Sequence, residues 1–426
     1  MSRQLKKSSF IQVIYRRGRR VRSFSFPHHI SLAMSVRQTI HGDISVRVIR
    51  QGISPLQRES SKIAIFLPSL HGGGAERAML VFARELLSRG YPVDLVLAKK
   101  EGALLPLVPF GARVFDCESR RMLHTFPKLA NYLRANKPAA VYSTITHANI
   151  MAALACQAVK LAAPLIVRQS NAPLSEHKSG VMQTVSRRLI PITYLKASSV
   201  IAVSKGVRSE LISMQPKLSG RIKVLPTPVL TNEVRRQGEQ TPAHPWFTEQ
   251  RVPVILSAGR LERHKGMSEL LRAFAVVRKS REAKLIIIGE GSARAKLEAE
   301  VMKLGLSNDV DLPGFQENPF SFMNHAALFV LNSYYEGLPN VIIQAMSFGT
   351  PIVSTDCKSG PSEILEAGRF GRLIPVKSHE SLVTALAESL DLAKHRAAQE
   401  SAWSRYGAEE ATSAYLACAN LPERPR

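Results

Sequence analysis

The sequence predicts an α/β protein built from two doubly wound, Rossmann-like parallel-sheet domains that face each other across a cleft. Three observations carry this. The chain has 426 residues, 45% of them hydrophobic and 21% charged, which is more than one compact core usually organises. Short runs that are apolar throughout alternate with amphipathic stretches, the pattern of parallel strands covered by helices on both faces. That alternation breaks off in a polar, Pro-containing stretch at residues 232–253 and then starts again. The expected organisation is a basic extension at 1–61, a first domain at 62–245, a second at 246–400, and a closing helix within 401–426 that is long enough to pack back on the first domain.

The first series opens with a strand at 63–67, a Gly-containing loop at 71–74, and a helix at 76–89 stopped by Gly90. Strands at 93–97, 140–142, 165–168, 200–203 and 222–225 follow, with helices at 126–136 and 149–159 between them. The second series has strands at 254–258, 285–289, 326–331 and 351–354, with a helix at 267–279. Sheets of this kind bind ligands beyond the carboxyl ends of their strands, so two facing sheets place the site in the cleft between them.

Composition narrows the function. The 25 Gly and 25 Pro are dispersed, which excludes collagen-like and low-complexity classes. Cys117, Cys156, Cys357 and Cys418 form no Cys-x-x-Cys pair, so neither a zinc ribbon nor a disulfide scaffold is expected, and the compartment reads as reducing. The most apolar stretch, 148–167, is interrupted by Asn149, Gln157, Lys160 and Pro164, too polar to span a bilayer. The basic N-terminus lacks an apolar segment ending in a small-residue cleavage site, so a cytoplasmic location is expected.

Charge is uneven. The net +25 divides into +10 over residues 1–61, +14 over 62–250 and +1 over 251–426. A basic half beside a neutral one suits a polyanion, either an anionic membrane surface or nucleic acid, or reflects a generally basic proteome. No aromatics are interleaved with the basic residues and no nucleic-acid-binding module is recognisable, so nucleic acid is not the expected partner. Within 1–61, Arg16, Arg17, Arg19, Arg20 and Arg22 lie among Phe10, Ile11, Val13, Ile14, Phe24 and Phe26. This suits a surface-seeking amphipathic segment, a poorly ordered extension, or sequence upstream of a start at Met34; the poorly ordered extension is the preferred reading.

Three loops carry candidate chemistry. His71-Gly72-Gly73-Gly74-Ala75-Glu76-Arg77 follows a strand and opens a helix, so its backbone can approach a ligand and its free amides favour an anion. It is neither a Gly-x-Gly-x-x-Gly nor a Walker loop, which disfavours NAD and ATP. Gly259-Arg260-Leu261-Glu262-Arg263-His264-Lys265-Gly266 puts Arg260 and Lys265 at a strand end and a helix mouth, two cations suited to a diphosphate. Ser333-Tyr334-Tyr335-Glu336-Gly337-Leu338-Pro339-Asn340 leads into a helix whose start is set by Pro339, with Glu336 placed to accept sugar hydroxyls and Gln344 further inside. His147, at another strand end, either contacts a sugar or caps and packs its helix. Asp309-Val310-Asp311 is formally an Asp-x-Asp, but it leads into Leu312-Pro313-Gly314-Phe315 at the edge of a short strand and reads as a plain loop, and no metal is expected.

In this order the segments resemble the family 4 retaining glycosyltransferases of the GT-B fold over about residues 62–400. The resemblance implies a nucleoside diphosphate sugar, UDP-linked, held mainly by the second domain, with the acceptor held by the first. It implies that Arg260 and Lys265 hold the diphosphate, that Glu336 contacts the donor sugar together with Gly337, Leu338, Pro339 and Asn340, and that Gly72, Gly73 and Gly74 approach the reaction centre. It also implies that the leaving diphosphate serves as base for the acceptor hydroxyl, without metal or cofactor. The family's second carboxylate falls at position 344, where this chain carries Gln344; an amide still donates and accepts but loses charge-assisted strength. The expected function is transfer of a hexose or N-acetylhexosamine to a lipid-linked or saccharide acceptor in cell-surface polysaccharide or lipopolysaccharide synthesis, at the inner face of the cell membrane. A nucleotide-sugar epimerase of similar shape and a basic nucleic-acid-binding protein are the alternatives.

Overall fold

The computed structural model describes residues 10–17, 20–27, 61–174, 181–248, 252–392, 400 and 403–424. Strands β1 (Phe10–Arg17) and β2 (Arg20–Pro27) pair antiparallel as a hairpin, Phe10 opposite Pro27, and belong to a unit separate from residues 59–426. Most of the expected N-terminal extension lies outside the described residues.

The larger unit holds two parallel sheets. The first has seven strands: β3 (Ile63–Leu67), β4 (Val93–Leu97), β5 (Arg113–Asp116), β6 (Ala140–Thr144), β7 (Leu165–Gln169), β8 (Ser199–Ala202) and β9 (Ile222–Val224), in the order β5-β4-β3-β6-β7-β8-β9. The second has six: β10 (Val254–Ala258), β11 (Lys284–Ile288), β12 (Val310–Gly314), β13 (Leu328–Leu331), β14 (Ile352–Thr355) and β15 (Arg372–Ile374), in the order β12-β11-β10-β13-β14-β15. In each sheet the order reverses beside the first strand, which is where the crossovers leave a crevice at the carboxyl ends. The doubly wound α/β class expected from the sequence is therefore the observed one. Strands β5 and β15 were not among the expected runs; they lie at sheet edges and are partly exposed, so they lack a continuous apolar signal, whereas β12 falls where a short strand was expected beside Asp309-Val310-Asp311.

The central strands are buried on both faces, and one apolar cluster continues from Phe66 and Val167 of the first sheet to Leu256, Phe329 and Ile342 of the second half. Between the sheets the helix Asn232–Glu239 packs so closely that a Cβ at Gly238 would lie 2.2 Å from the Phe348 ring. The acids of Asp309-Val310-Asp311 are taken up structurally: Asp309 pairs with Lys284 at 3.0 Å, and Asp311 with His244 at 2.9 Å.

The helix Ala408–Cys418 returns to the first sheet and packs on the helix Gly74–Ser88. Phe82 sits edge-on to Tyr142 and tilted against Tyr415, at 4.9 and 5.2 Å. Arg168, buried at the end of β7, donates from Nε to the Tyr415 hydroxyl at 3.1 Å, from Nη1 to Thr144 at 3.1 Å and from Nη2 to Thr227 at 2.8 Å. A buried guanidinium demands such partners, because an unmet charged donor is costly. Tyr415→Phe is expected to cost about 1.5–3 kcal/mol, the range for a hydrogen bond to a charged group, read as a lower urea midpoint at unchanged m-value. A midpoint equal to wild type would contradict this role for Tyr415.

Candidate active site

The site forms where the carboxyl ends of the two sheets meet. On the second domain, β10 runs into a loop that closes in a short turn, Arg263–Lys265, ended by Gly266 at φ +64°. Only glycine fits at 266: a Cβ there would stand 2.1 Å from the Asn332 carbonyl oxygen. Asn332 in turn donates to the Gly266 carbonyl at 2.8 Å, so the loops after β10 and β13 are locked together. His264 stacks on Tyr335 with ring centroids 4.7 Å apart, and the Tyr334 amide donates to the His264 carbonyl at 2.8 Å.

That lock brings Lys265 to Glu336. Nζ donates to Oε1 at 2.6 Å, and the two side chains are only 15% and 10% exposed. Cys357 lies beside this pair, and burial, reinforced by the Glu336 charge, pushes its thiol up to about 12, so it stays neutral. Arg260 is different: it is exposed and forms no ion pair among the described residues. The helix Asn340–Ser347 begins at Pro339, with Gln344 inside it, buried, its side chain hydrogen-bonded to none of the described residues.

The first domain meets this surface at several points. Gly337 presses on the loop after β7: a Cβ there would lie 2.0 Å from the Ser170 carbonyl oxygen and 2.8 Å from the Asn171 Cα. Asn340 donates from Nδ2 to the Gly74 carbonyl at 3.1 Å, while its buried Oδ1 has no partner among the described residues. Gly72, at φ +114°, faces the Phe315 ring, and the Arg77 guanidinium stands 5.7 Å from the Phe320 ring centroid. Burial lowers the Arg77 pKa, and among the described residues it forms no ion pair. The Glu76 carboxylate folds back on Gly73, where a Cβ would clash with Oε2 at 2.2 Å.

The expected donor-side residues, Arg260, Lys265, Glu336, Gly337 to Asn340 and Gln344, thus gather on two adjoining loops and one helix, and Gly72 to Gly74 face them across the cleft. His147 stands exposed in the first turn of the helix Thr146–Ala158. The residue at that helix's cap is Ile145, at φ +74°, a strained conformation for a β-branched residue and one that clusters at functional turns. Gln169 joins this turn to the cleft by donating to Thr146 at 3.0 Å and to the Asn171 carbonyl at 2.8 Å. Sequence reading did not single out Ser170, Asn171, Phe315 or Phe320. Ser170 and Asn171 end the polar run Arg168-Gln169-Ser170-Asn171 at a strand terminus, a signal that was available.

Family models for "Glycosyl transferases group 1" and "Glycosyltransferase Family 4" match residues 243–405 and 72–233. A glycosyltransferase of Methanocaldococcus jannaschii is 35% identical over 198 residues, 46% of this chain; the chain spans about half, 48%, of that relative's length. An N-acetylgalactosaminyltransferase of Campylobacter jejuni, named for an N-acetylgalactosamine-N,N'-diacetylbacillosaminyl-diphospho-undecaprenol acceptor, is 28% identical over 79% of this chain and 92% of its own. Among solved structures, Anabaena HepE in complex with UDP and glucose superposes with a TM-score of 0.70 at 20% identity, covering 84% of this chain and 98% of that one, a likeness of fold.

Because Gly337 touches backbone, Gly337→Ala is expected to part the two loops. Hydrogen exchange should quicken at the amides of residues 72–76 and 170–171, with the central strands unchanged; protection equal to wild type at both would refute the contact.

Proposed function

We propose that this chain, which belongs to the family 4 glycosyltransferases of the GT-B fold, moves a hexose or N-acetylhexosamine from a UDP-linked sugar to a lipid-linked or saccharide acceptor, with retention and without a metal. The observation that carries this reading is the convergence of Arg260, Lys265 and Glu336 at the mouth of the helix Asn340–Ser347, opposite the Gly72–Gly74 turn. The relatives' names support a donor and acceptor of this class: one acts on a diphospho-undecaprenol saccharide, and another is a lipopolysaccharide 1,6-galactosyltransferase.

In this reading Arg260 and Lys265 hold the diphosphate, and Glu336 and the amides at 337–340 hold the sugar. The Gln344 amide takes the nucleotide ribose, with weaker hydrogen bonds than a carboxylate would make. The bond from the anomeric carbon to the diphosphate oxygen breaks, and the acceptor oxygen bonds to that carbon on the same face. The acceptor's hydroxyl proton passes to the departing diphosphate. In this reading the cations Arg260 and Lys265 stabilise the leaving charge. His147 lies on the acceptor-side rim, at the strained turn after β6, and contacts the sugar there.

The anionic membrane surface is the proposed second partner. Among the described residues no helix is long and apolar enough to cross a membrane. The helices Thr125–Asn136, Thr146–Ala158 and Val181–Thr193 pack side by side on the first domain and expose Leu154, Val185 and Ile192, with Leu123 just ahead of the first. Arg120, Arg121, Arg188 and Lys196, within or next to these helices in sequence, are exposed. Arg187 does not serve: its guanidinium donates to the Pro173 and Leu174 carbonyls, and Ile190 is buried.

Arg260→Ala and Lys265→Ala are each expected to lower kcat/KM by about 2.7–4 kcal/mol, the loss of one fixed donor to a developing oxyanion, in an assay of UDP release with a panel of UDP-sugars. Activity within threefold of wild type in both, or magnesium-reversible loss of wild-type activity in chelator, would contradict the assignment. Sedimentation with vesicles is expected to show binding that rises with anionic lipid and falls with salt, since each basic residue adds about 1 kcal/mol and screening sets in over ~10 Å at 0.1 M. Equal binding to neutral and anionic vesicles, or none to either, would refute docking.

A further inference from the structure

The end of β7 carries a buried side chain that the proposed chemistry does not use. Gln169 is fully buried, one residue before the Ser170 carbonyl that meets Gly337. Its Nε2 directs both hydrogens forward, to the Thr146 hydroxyl and the Asn171 carbonyl, so a single amide joins the turn after β6 to the turn after β7. Behind it, the Tyr194 hydroxyl donates to Oε1 and accepts from Asn149 Nδ2 at 2.9 Å, and that nitrogen also donates to the Arg168 carbonyl at 3.0 Å. Tyr194 and Asn149 are fully buried as well. The chain of hydrogen bonds has one direction. A backbone carbonyl only accepts, so the Arg168 carbonyl fixes which end of the Asn149 amide faces it, and the Asn171 carbonyl does the same for Gln169. Tyr194 must then accept from the first amide and donate to the second. Burial pushes the Tyr194 phenol up, against the Asn149 hydrogen bond, so its hydroxyl remains a donor.

Packing alone does not ask for such a network, because apolar side chains of similar size fill a core with no partners to satisfy. Its place in the fold gives it another use. At one end it holds the turn that contains Ile145 at φ +74°, a strained conformation that persists only where the surroundings over-determine it. At the other end lie Ser170 and Asn171, where a Cβ on Gly337 would stand 2.0 Å from the Ser170 carbonyl oxygen and 2.8 Å from the Asn171 Cα. Gly337 follows Glu336, the partner of Lys265 at 2.6 Å. We propose that Gln169 is a positioning residue: its amide, oriented from behind by Tyr194 and Asn149, holds the turns after β6 and β7 in one register and so sets the wall against which the Glu336–Gly337 loop is seated. This deepens the transferase reading above and rests on it. Gln169 itself touches no reacting atom, and its effect reaches the sugar through the placement of Glu336 and Gly337.

Three variants separate positioning from plain support of the fold. Gln169→Leu keeps the bulk and removes the amide, Thr146→Val removes only the hydroxyl that Gln169 holds, and Thr146→Ser keeps that hydroxyl. For Gln169→Leu, kcat for UDP release from the panel of UDP-sugars is expected to fall about ten- to a hundredfold, the scale of a small misplacement at a reacting centre. Its UDP dissociation constant by calorimetry should stay within about threefold of wild type, because Arg260 and Lys265 stand on the loop after β10, which the network does not touch. Thr146→Val should lose kcat in the same way, and Thr146→Ser should stay close to wild type. Hydrogen exchange should quicken at the amides of residues 145–147 and 170–171 in Gln169→Leu and Thr146→Val alone. Wild-type kcat in folded Gln169→Leu, a loss of kcat matched by an equal loss of UDP affinity, or equal kcat in Thr146→Val and Thr146→Ser would overturn the proposal. Should Gln169→Leu fail to fold, the two Thr146 variants decide it. Release of UDP from none of the panel by the wild type would instead overturn the donor reading, and unchanged exchange at 145–147 and 170–171 would still refute the hold of Gln169 on the two turns.

Discussion

The two halves of this protein meet through backbone, and glycine is what lets them. At Gly337 a single methyl group would enter the Ser170 carbonyl, and at Gly206 it would enter the Ser359 side chain and crowd the Lys358 carbonyl. Each of these contacts ties a loop of one half to a loop of the other, close to strand ends whose positions the sheets fix. Side chains then add direction: Lys205 donates its amide to Glu363 at 2.8 Å, and Lys358 pairs with the buried Glu210 at 3.1 Å. Catalytic groups carried on such loops inherit the rigidity of the sheets behind them.

The distribution of charge within that frame is uneven in an informative way. Lys265 and Glu336 neutralise each other at 2.6 Å, whereas Arg260 and Arg77 form no ion pair among the described residues. A half-buried cation such as Arg77 is costly without a matching anion. The same lens corrects the picture of the basic surface. Arg187 and Arg168 are charged but spent on carbonyls and hydroxyls inside the fold, so net charge over residues 62–250 overstates what an external partner meets.

The doubly wound fold was legible because buried parallel strands such as Ile63–Leu67 and Val254–Ala258 have no polar interruption. The edge strands Arg113–Asp116 and Arg372–Ile374 were not, since half their residues face water. The candidate residues Arg260, Lys265 and Glu336 could be picked out as motifs, because the proposed chemistry there is carried by side chains. The packing of Gly337 on the loop after β7 could not, because Ser170 contributes its carbonyl oxygen, a group every residue has. Glu76 falls between these cases. It lies inside a recognised motif, but that its carboxylate folds over Gly73 emerges only from the folded turn.

The central claim is that the facing strand ends hold a nucleoside diphosphate through fixed cations. Calorimetric comparison of UDP with uridine tests it most directly. Two charge-assisted contacts at about 1.5 kcal/mol or more each predict that UDP binds about a hundredfold or more tighter, and that this advantage disappears in the Arg260→Ala, Lys265→Ala double variant. UDP and uridine binding equally to the wild type, or an advantage that survives in the double variant, would contradict the account.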